Sequence, residues 1–103
     1  MITNYTILGE RCSGTNYLQQ LMTKNFKIKT TWNFGWKHFY GHHNYKKSNN
    51  TLFIGIVRDP VSWLDSFYKI PHHLPKYMHN NIDNFLTKEI HSYRNGKNNA
   101  ELL

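Results

Sequence analysis

Gly9, Ser13, Gly14, Thr15 and Asn16 fall within "ILGERCSGTNYLQQL" (7–21), an apolar run followed by a glycine turn and an amphipathic stretch. The backbone amides of such a turn point outward at a helix N-terminus and bind anions, helped by the positive end of the helix dipole. Arg11, Ser13, Thr15 and Asn16 add side-chain donors, so the chemistry on offer is the holding of a phosphate or sulfate group. The two glycines have the spacing of a phosphate-binding loop, but Thr15 and Asn16 stand where a nucleotide hydrolase carries Lys and Ser/Thr. Without the lysine that reaches the β- and γ-phosphates and the hydroxyl that binds magnesium, ordinary ATP hydrolysis is disfavoured. A cysteine-based phosphatase needs an arginine six positions after its cysteine, where Cys12 is followed by Leu18. Cys12 therefore reads as a small packed residue.

These residues need a frame. "NYTILG" (4–9) is short, β-prone and stopped by glycine, which predicts a buried strand. A helix starting near Ser13 to Asn16 would put Tyr17, Leu18, Leu21 and Met22 on one face. "FKIKTTW" (26–32) alternates as a second strand does, and "TLFIGIV" (51–57) is nearly all apolar, as expected of a strand covered on both faces. Then comes "RDPVSWLDSFYK", in which Asp59 can cap a helix, Pro60 can sit in its first turn, and Val61, Leu64 and Tyr68 continue an apolar stripe. Residues 33–50, with Lys37, Lys46, Lys47, His38, His42 and His43, read mostly as loop, as does the Pro- and His-containing stretch 70–80. Ile82, Phe85, Leu86, Ile90 and Tyr93 recur at helical spacing with Gly96 as a stop, and little beyond it favours order. Strands alternating with helices predict an α/β fold with a mainly parallel sheet. Ligands of such sheets bind beyond the carboxyl ends of the strands, here Gly9 to Thr15 and Arg58 to Pro60.

Composition narrows the partners. The 103 residues suit one domain, and at that length about 60 to 70% of the unfolded chain's surface can be buried. With 39% hydrophobic and 16% aromatic residues a core is available, which argues against a disordered chain. A net charge of +7 favours anionic partners: nucleotides, nucleic acid, acidic headgroups, or sulfated and phosphorylated substrates. The single cysteine excludes an intramolecular disulfide and an all-cysteine metal site. No run approaches the roughly 18 apolar residues of a membrane span, and no signal-like segment opens the chain, so the expectation is a soluble, intracellular, cytoplasmic protein.

"SGTNYLQQL" after an initial strand, with a second strand ending in "RDPVSWLDSFYK", resembles the sulfotransferase family that uses 3′-phosphoadenosine 5′-phosphosulfate (PAPS). "NIDNFLTKEIHSY" is similar to that family's segment on the acceptor side, and the resemblance covers most of residues 4–93. It implies a P-loop-like three-layer α/β domain over residues 1–95 with a C-terminal tail over 96–103. It also implies that Arg11, Cys12, Ser13, Gly14, Thr15 and Asn16 grip the 5′-phosphosulfate end. Arg58 and Ser66, eight positions apart, would grip the 3′-phosphate, for which the planar fork of arginine is suited. "GWKHFYGHH" lies between the two motifs and resembles the family's Lys- and His-bearing strand end, which makes His38 the general base and Lys37 the stabiliser of the leaving group. Family members usually carry a basic residue directly before Ser-Gly-Thr, where this chain has Cys12, and typical members are longer, with a C-terminal glycine- and basic-residue-rich loop.

Bland readings stand beside these. Taken singly, Arg58 could pair with Asp59 or Asp65, Ser66 could be an ordinary helix-surface residue, and Trp32, Trp36 and Trp63 core or rim residues. His38 and His42 have the spacing of one helix face but no acidic or cysteine companion, so loop histidines are preferred to a metal site. The basic, aromatic "WKHFYGHHNYKK" keeps single-stranded nucleic-acid binding as a rival function. A kinase-like nucleotide binder with a degenerate loop and a non-catalytic nucleotide-binding remnant are the others. The expected reaction transfers the sulfonate to a hydroxyl or amine acceptor that the sequence does not identify.

Overall fold

A computed structural model describes residues 1–38, 48–71 and 73–89, together with the backbone of 91–94 and 97–102. His42, His43, Lys46, Lys47 and His72 lie outside the described residues. The chain forms two compact units, Met1–Pro60 and Val61–Leu103.

In the first unit, strand β1 (Asn4–Leu8) leads through a six-residue loop to helix α1 (Thr15–Asn25), strand β2 (Lys29–Thr30) and strand β3 (Thr51–Gly55). The sheet order is β2-β1-β3 and both pairings are parallel, with Asn4 opposite Lys29 and Leu8 opposite Gly55 at the two limits of the registers. Parallel neighbours need a crossover, which α1 supplies between β1 and β2. The molecule is thus of the α/β class. β2 falls inside the alternating stretch 26–32, though only two residues of it pair.

Tyr5 and Ile7 of β1 are wholly buried and pack with Met22 of α1, flanked by Leu18, Ile28, Ile54 and Ile56. The buried Tyr5 hydroxyl donates to the Gln19 carbonyl at 3.3 Å and lies 3.2 Å from Thr23 Oγ1. Without such partners, burying a hydroxyl would cost about 1–3 kcal/mol. The inward stripe of α1 runs Thr15, Leu18, Met22, whereas Tyr17 and Leu21 are 68% and 39% exposed. Each stands about 100° around the helix from its buried neighbour. The shared face expected for all four is therefore narrower.

The apolar run 51–57 also departs from expectation. β3 is an edge strand among the described residues, and Leu52 and Phe53 remain 42% and 38% exposed. Uniform apolarity does not tell a parallel strand where in the sheet it belongs, and here β1 takes the covered centre.

In the second unit, helix α2 (Pro60–Lys69) begins at the proline that ends the first unit. Its buried residue is Phe67, stacked on Trp63 at 5.6 Å and edge-on to Phe85 at 5.5 Å. Val61, expected in the stripe, is 76% exposed, because the buried face centres one residue before Tyr68. A short 3-10 turn (Lys76–Met78) interrupts the stretch read as loop and buries Met78. Helix α3 (Ile82–Thr87) is capped by Asn81, whose Oδ1 accepts from the Asn84 amide at 2.8 Å.

The helix expected to run on to Tyr93 stops at Thr87, and strands β4 (His91–Arg94) and β5 (Lys97–Leu102) pair antiparallel, His91 opposite Leu102. Order extends into the stretch where little was expected. The sequence between these strands is Asn95-Gly96, the dipeptide with the strongest hairpin preference. Among the described residues no helix is long and apolar enough to cross a membrane.

Candidate anion-binding site

The loop between β1 and α1 is held by its own backbone. A Cβ on Gly9 would sit 2.5 Å from Ile56 Cγ2 and 2.9 Å from both the Ile56 carbonyl and Ser13 Oγ, so only glycine lets the chain leave β1 this close to the residue that follows β3. Cys12 and Gly14 take left-handed conformations, φ 59° and 96°. The Ser13 amide and hydroxyl both donate to the Glu10 carbonyl, at 3.3 and 2.5 Å. The hydroxyl expected to face a ligand is thus committed to the turn. Gly14 occupies the N-cap position of α1 and offers no side-chain cap, and no acidic residue stands in the first turn. The first amides of a helix have no acceptor within it, which leaves this end suited to an anion. Thr15 is buried and Asn16 exposed.

Against this loop lies the segment Trp36 to His38. The Gly9 amide donates to the Lys37 carbonyl at 2.8 Å, and His38 Nδ1 donates to the Gly9 carbonyl at 2.9 Å. Since a carbonyl only accepts, Nδ1 carries the proton, and in the neutral ring Nε2 is the basic nitrogen. Lys37 is 6% exposed; its ammonium donates to Asn16 Oδ1 and lies 5.3 Å from the centre of the Trp36 ring. Burial holds the Lys37 pKa below its ordinary 10.5, because the charged form loses hydration.

Arg58, just beyond β3, donates from Nη1 to the Cys12 carbonyl at 2.9 Å. Asp65, a conceivable partner for it, makes an exposed ion pair with Lys69 at 2.6 Å along α2. Arg11 in the loop is only 3% exposed. Burial pushes the Cys12 thiol up, against the opposing pull of Arg58 and then Arg11, which disfavours its thiolate form. Ser66 is half-buried in α2, in the second unit.

The first unit therefore brings together Gly9 to Asn16, Lys37, His38 and Arg58, from three separated stretches of chain. Sequence reasoning missed the bonding of Asn16 to Lys37; the signal was an amide at the second helical position, but nothing in the sequence pairs it with a lysine 21 positions away. Trp36 is 44% exposed, tilted against Trp32 at 4.7 Å and edge-on to His38 at 6.4 Å, and Phe34 meets Phe53 at 5.0 Å. Trp36 is thus a rim residue beside the imidazole. No group of three potential metal ligands occurs among the described residues. Three cationic side chains, a helix N-terminus and an imidazole around one short loop can bind an anion and move a proton beside it. Among known proteins, no family model, no curated sequence and no solved structure matches the chain.

Proposed function

We propose that this protein is a sulfotransferase-like domain with a P-loop-like fold that binds PAPS at the β1–α1 loop and transfers its sulfonate to a hydroxyl or amine acceptor. One observation carries the reading: both backbone groups of Gly9 bond to one neighbouring segment, which brings the Lys37 ammonium and the His38 imidazole to the anion loop. The donor set fits a phosphosulfate, with left-handed backbone at Cys12 and Gly14, a helix end without a side-chain cap, and Lys37 and Arg58 bonded to residues 16 and 12.

The bound donor supplies a sulfur that gains a bond to the acceptor oxygen or nitrogen and loses its bond to the bridging oxygen, whose electron pair leaves with adenosine 3′,5′-bisphosphate. His38 Nε2 takes the acceptor proton, its tautomer set by the bond from Nδ1 to Gly9. Lys37 answers the charge that grows on the leaving oxygen. Arg58 keeps further donors on its fork beyond the one on Cys12 and serves the 3′-phosphate, a role in which the family resemblance joins Ser66 to it.

The test is calorimetric titration of the folded chain with adenosine 3′,5′-bisphosphate, ATP with magnesium, and a single-stranded oligonucleotide at two salt concentrations, repeated with Arg58→Ala. Preference for the bisphosphate without metal, lost in the variant, supports the donor site. Preference for ATP with magnesium points to a kinase-like binder, and oligonucleotide binding that collapses with salt points to the nucleic-acid reading. Bisphosphate binding with no transfer to any acceptor leaves a binding remnant.

A further inference from the structure

Asn16 stands at the second residue of α1, where a phosphate-loop reading makes it a direct ligand of the anion. The geometry points to a different role: we propose that Asn16 is a positioning residue, whose side-chain oxygen holds the Lys37 ammonium at the first turn of α1 and acts on a bound anion through that lysine. The nature of the anion rests on the donor-binding reading above; the pairing of the two residues does not.

The Lys37 backbone is fixed by the bond from the Gly9 amide, and its side chain runs inward to 6% exposure. A buried ammonium needs an acceptor, and among the described residues Asn16 Oδ1 serves as one, with the Trp36 ring as a second favourable neighbour. Charges of both signs stand on the elements around it. The N-terminal end of α1 is positive, Arg11 is buried in the adjoining loop, and Arg58 is bonded to the Cys12 carbonyl. The other titratable groups on the elements packed there are Glu10 and Cys12 in the loop and His38 beside Lys37. A neutral oxygen is thus what receives the ammonium at a place where burial disfavours its charge.

An arriving anion reverses the sign of these terms, since helix end, loop amides and ammonium then all attract it. Asparagine suits the post for a further reason. Aspartate would hold Lys37 more tightly but would neutralise it and repel the anion, while alanine would leave the ammonium without its acceptor. The lowered pKa of Lys37 agrees with a charge held at a site that does not favour it.

The test uses the full chain with Asn16→Ala, Asn16→Asp, Lys37→Met and the double variant Asn16→Ala/Lys37→Met. The first readout needs no ligand: the titration of Lys37 followed through its Cε and Nζ chemical shifts in isotope-labelled protein. Asn16→Ala should displace it from the wild-type curve and Asn16→Asp should raise it; a Lys37 titration unmoved by both overturns the proposal. The second is affinity for adenosine 3′,5′-bisphosphate. Asn16→Ala should weaken binding about tenfold when Lys37 is present and less than about twofold in the Lys37→Met background, as expected of coupled residues. Equal losses in the two backgrounds overturn the proposal and make Asn16 a direct ligand or a helix support. A wild-type chain that binds no bisphosphate refutes the donor-binding function, and the ligand-free titration then still decides the role of Asn16.

Discussion

Arg58 Nη1 donates to the main-chain carbonyl of Cys12 at 2.9 Å, joining the segment that follows β3 to the one non-glycine residue of the loop with a left-handed backbone. Under the proposed function the arginine would have two separable tasks, steadying the loop and offering its remaining donors to an anion.

Replacing it separates them. Arg58→Ala should lower bisphosphate affinity at least tenfold, since hydrogen bonds to charged groups are worth about 1.5–3 kcal/mol each. The bond to Cys12 is exposed, so the accompanying loss of folding stability should stay below about 1 kcal/mol. Arg58→Lys should recover only part of the affinity, because a point charge replaces a fork. Calorimetry and urea unfolding read the two quantities; a stability loss that matches the affinity loss would reduce Arg58 to a loop support.

The glycines of the loop should differ in why they resist substitution. Gly9→Ala places a methyl 2.5 Å from Ile56 Cγ2 and 2.9 Å from a carbonyl, and should cost about 1–3 kcal/mol as overpacking. Gly14→Ala meets nothing closer than 3.5 Å but must hold φ 96°, for a cost of about 1–2 kcal/mol. Chemical denaturation measures both, and a neutral Gly9→Ala would mean that the β1–β3 ends are less closely apposed than described.

Lys37 sets a pH dependence whose sign is fixed. Its folded pKa lies below the ordinary 10.5, so the unfolded chain binds the proton more readily and stability rises with pH across the window between the lowered value and 10.5. The penalty is complete below that window and absent above it. Lys37→Met removes the titration, so the stability of wild type relative to this variant should improve as pH climbs through the window. Anion affinity should move the other way, falling as the ammonium is lost. Unfolding series for both proteins at matched ionic strength would show a flat difference if Lys37 were exposed.

Cys12 contributes its carbonyl and its backbone angle more than its sulfur. Cys12→Ser should change bisphosphate affinity by less than about twofold. Alkylation of the thiol at mild pH should run slower than that of a free cysteine, because burial outweighs the nearby guanidinium groups. Fast alkylation would contradict the balance of those effects.

How much of this was legible in the sequence depended on whether the signal was local. Gly9, Gly14 and the strand before them announce a strand, turn and helix, and β1 and α1 follow. The burial of β3 was misjudged because strand order is a long-range property, and Leu52 and Phe53 look the same in a central strand or an edge. In the second unit the apolar period from Ile82 predicts a helix stopped at Gly96, yet the helix ends at Thr87 and Asn95-Gly96 separates two paired strands. At the site, the sequence offered Lys37 and His38 as chemistry but not the bonds from the Gly9 amide and to the Gly9 carbonyl that bring them to the loop. Such bonds link residues 28 and 29 positions apart and leave no periodic trace.

Those same bonds bear on the thermodynamics of recognition. With the Gly9 amide and carbonyl, the Ser13 hydroxyl and the Cys12 carbonyl all engaged by protein groups, the loop acquires its shape during folding and not on meeting a ligand. Little conformational freedom then remains to be surrendered at the encounter, which is the usual source of lost affinity in a mobile loop. An anion bound here as proposed would dock on a preformed loop, with an association rate governed by charge and ionic strength and a small entropic penalty.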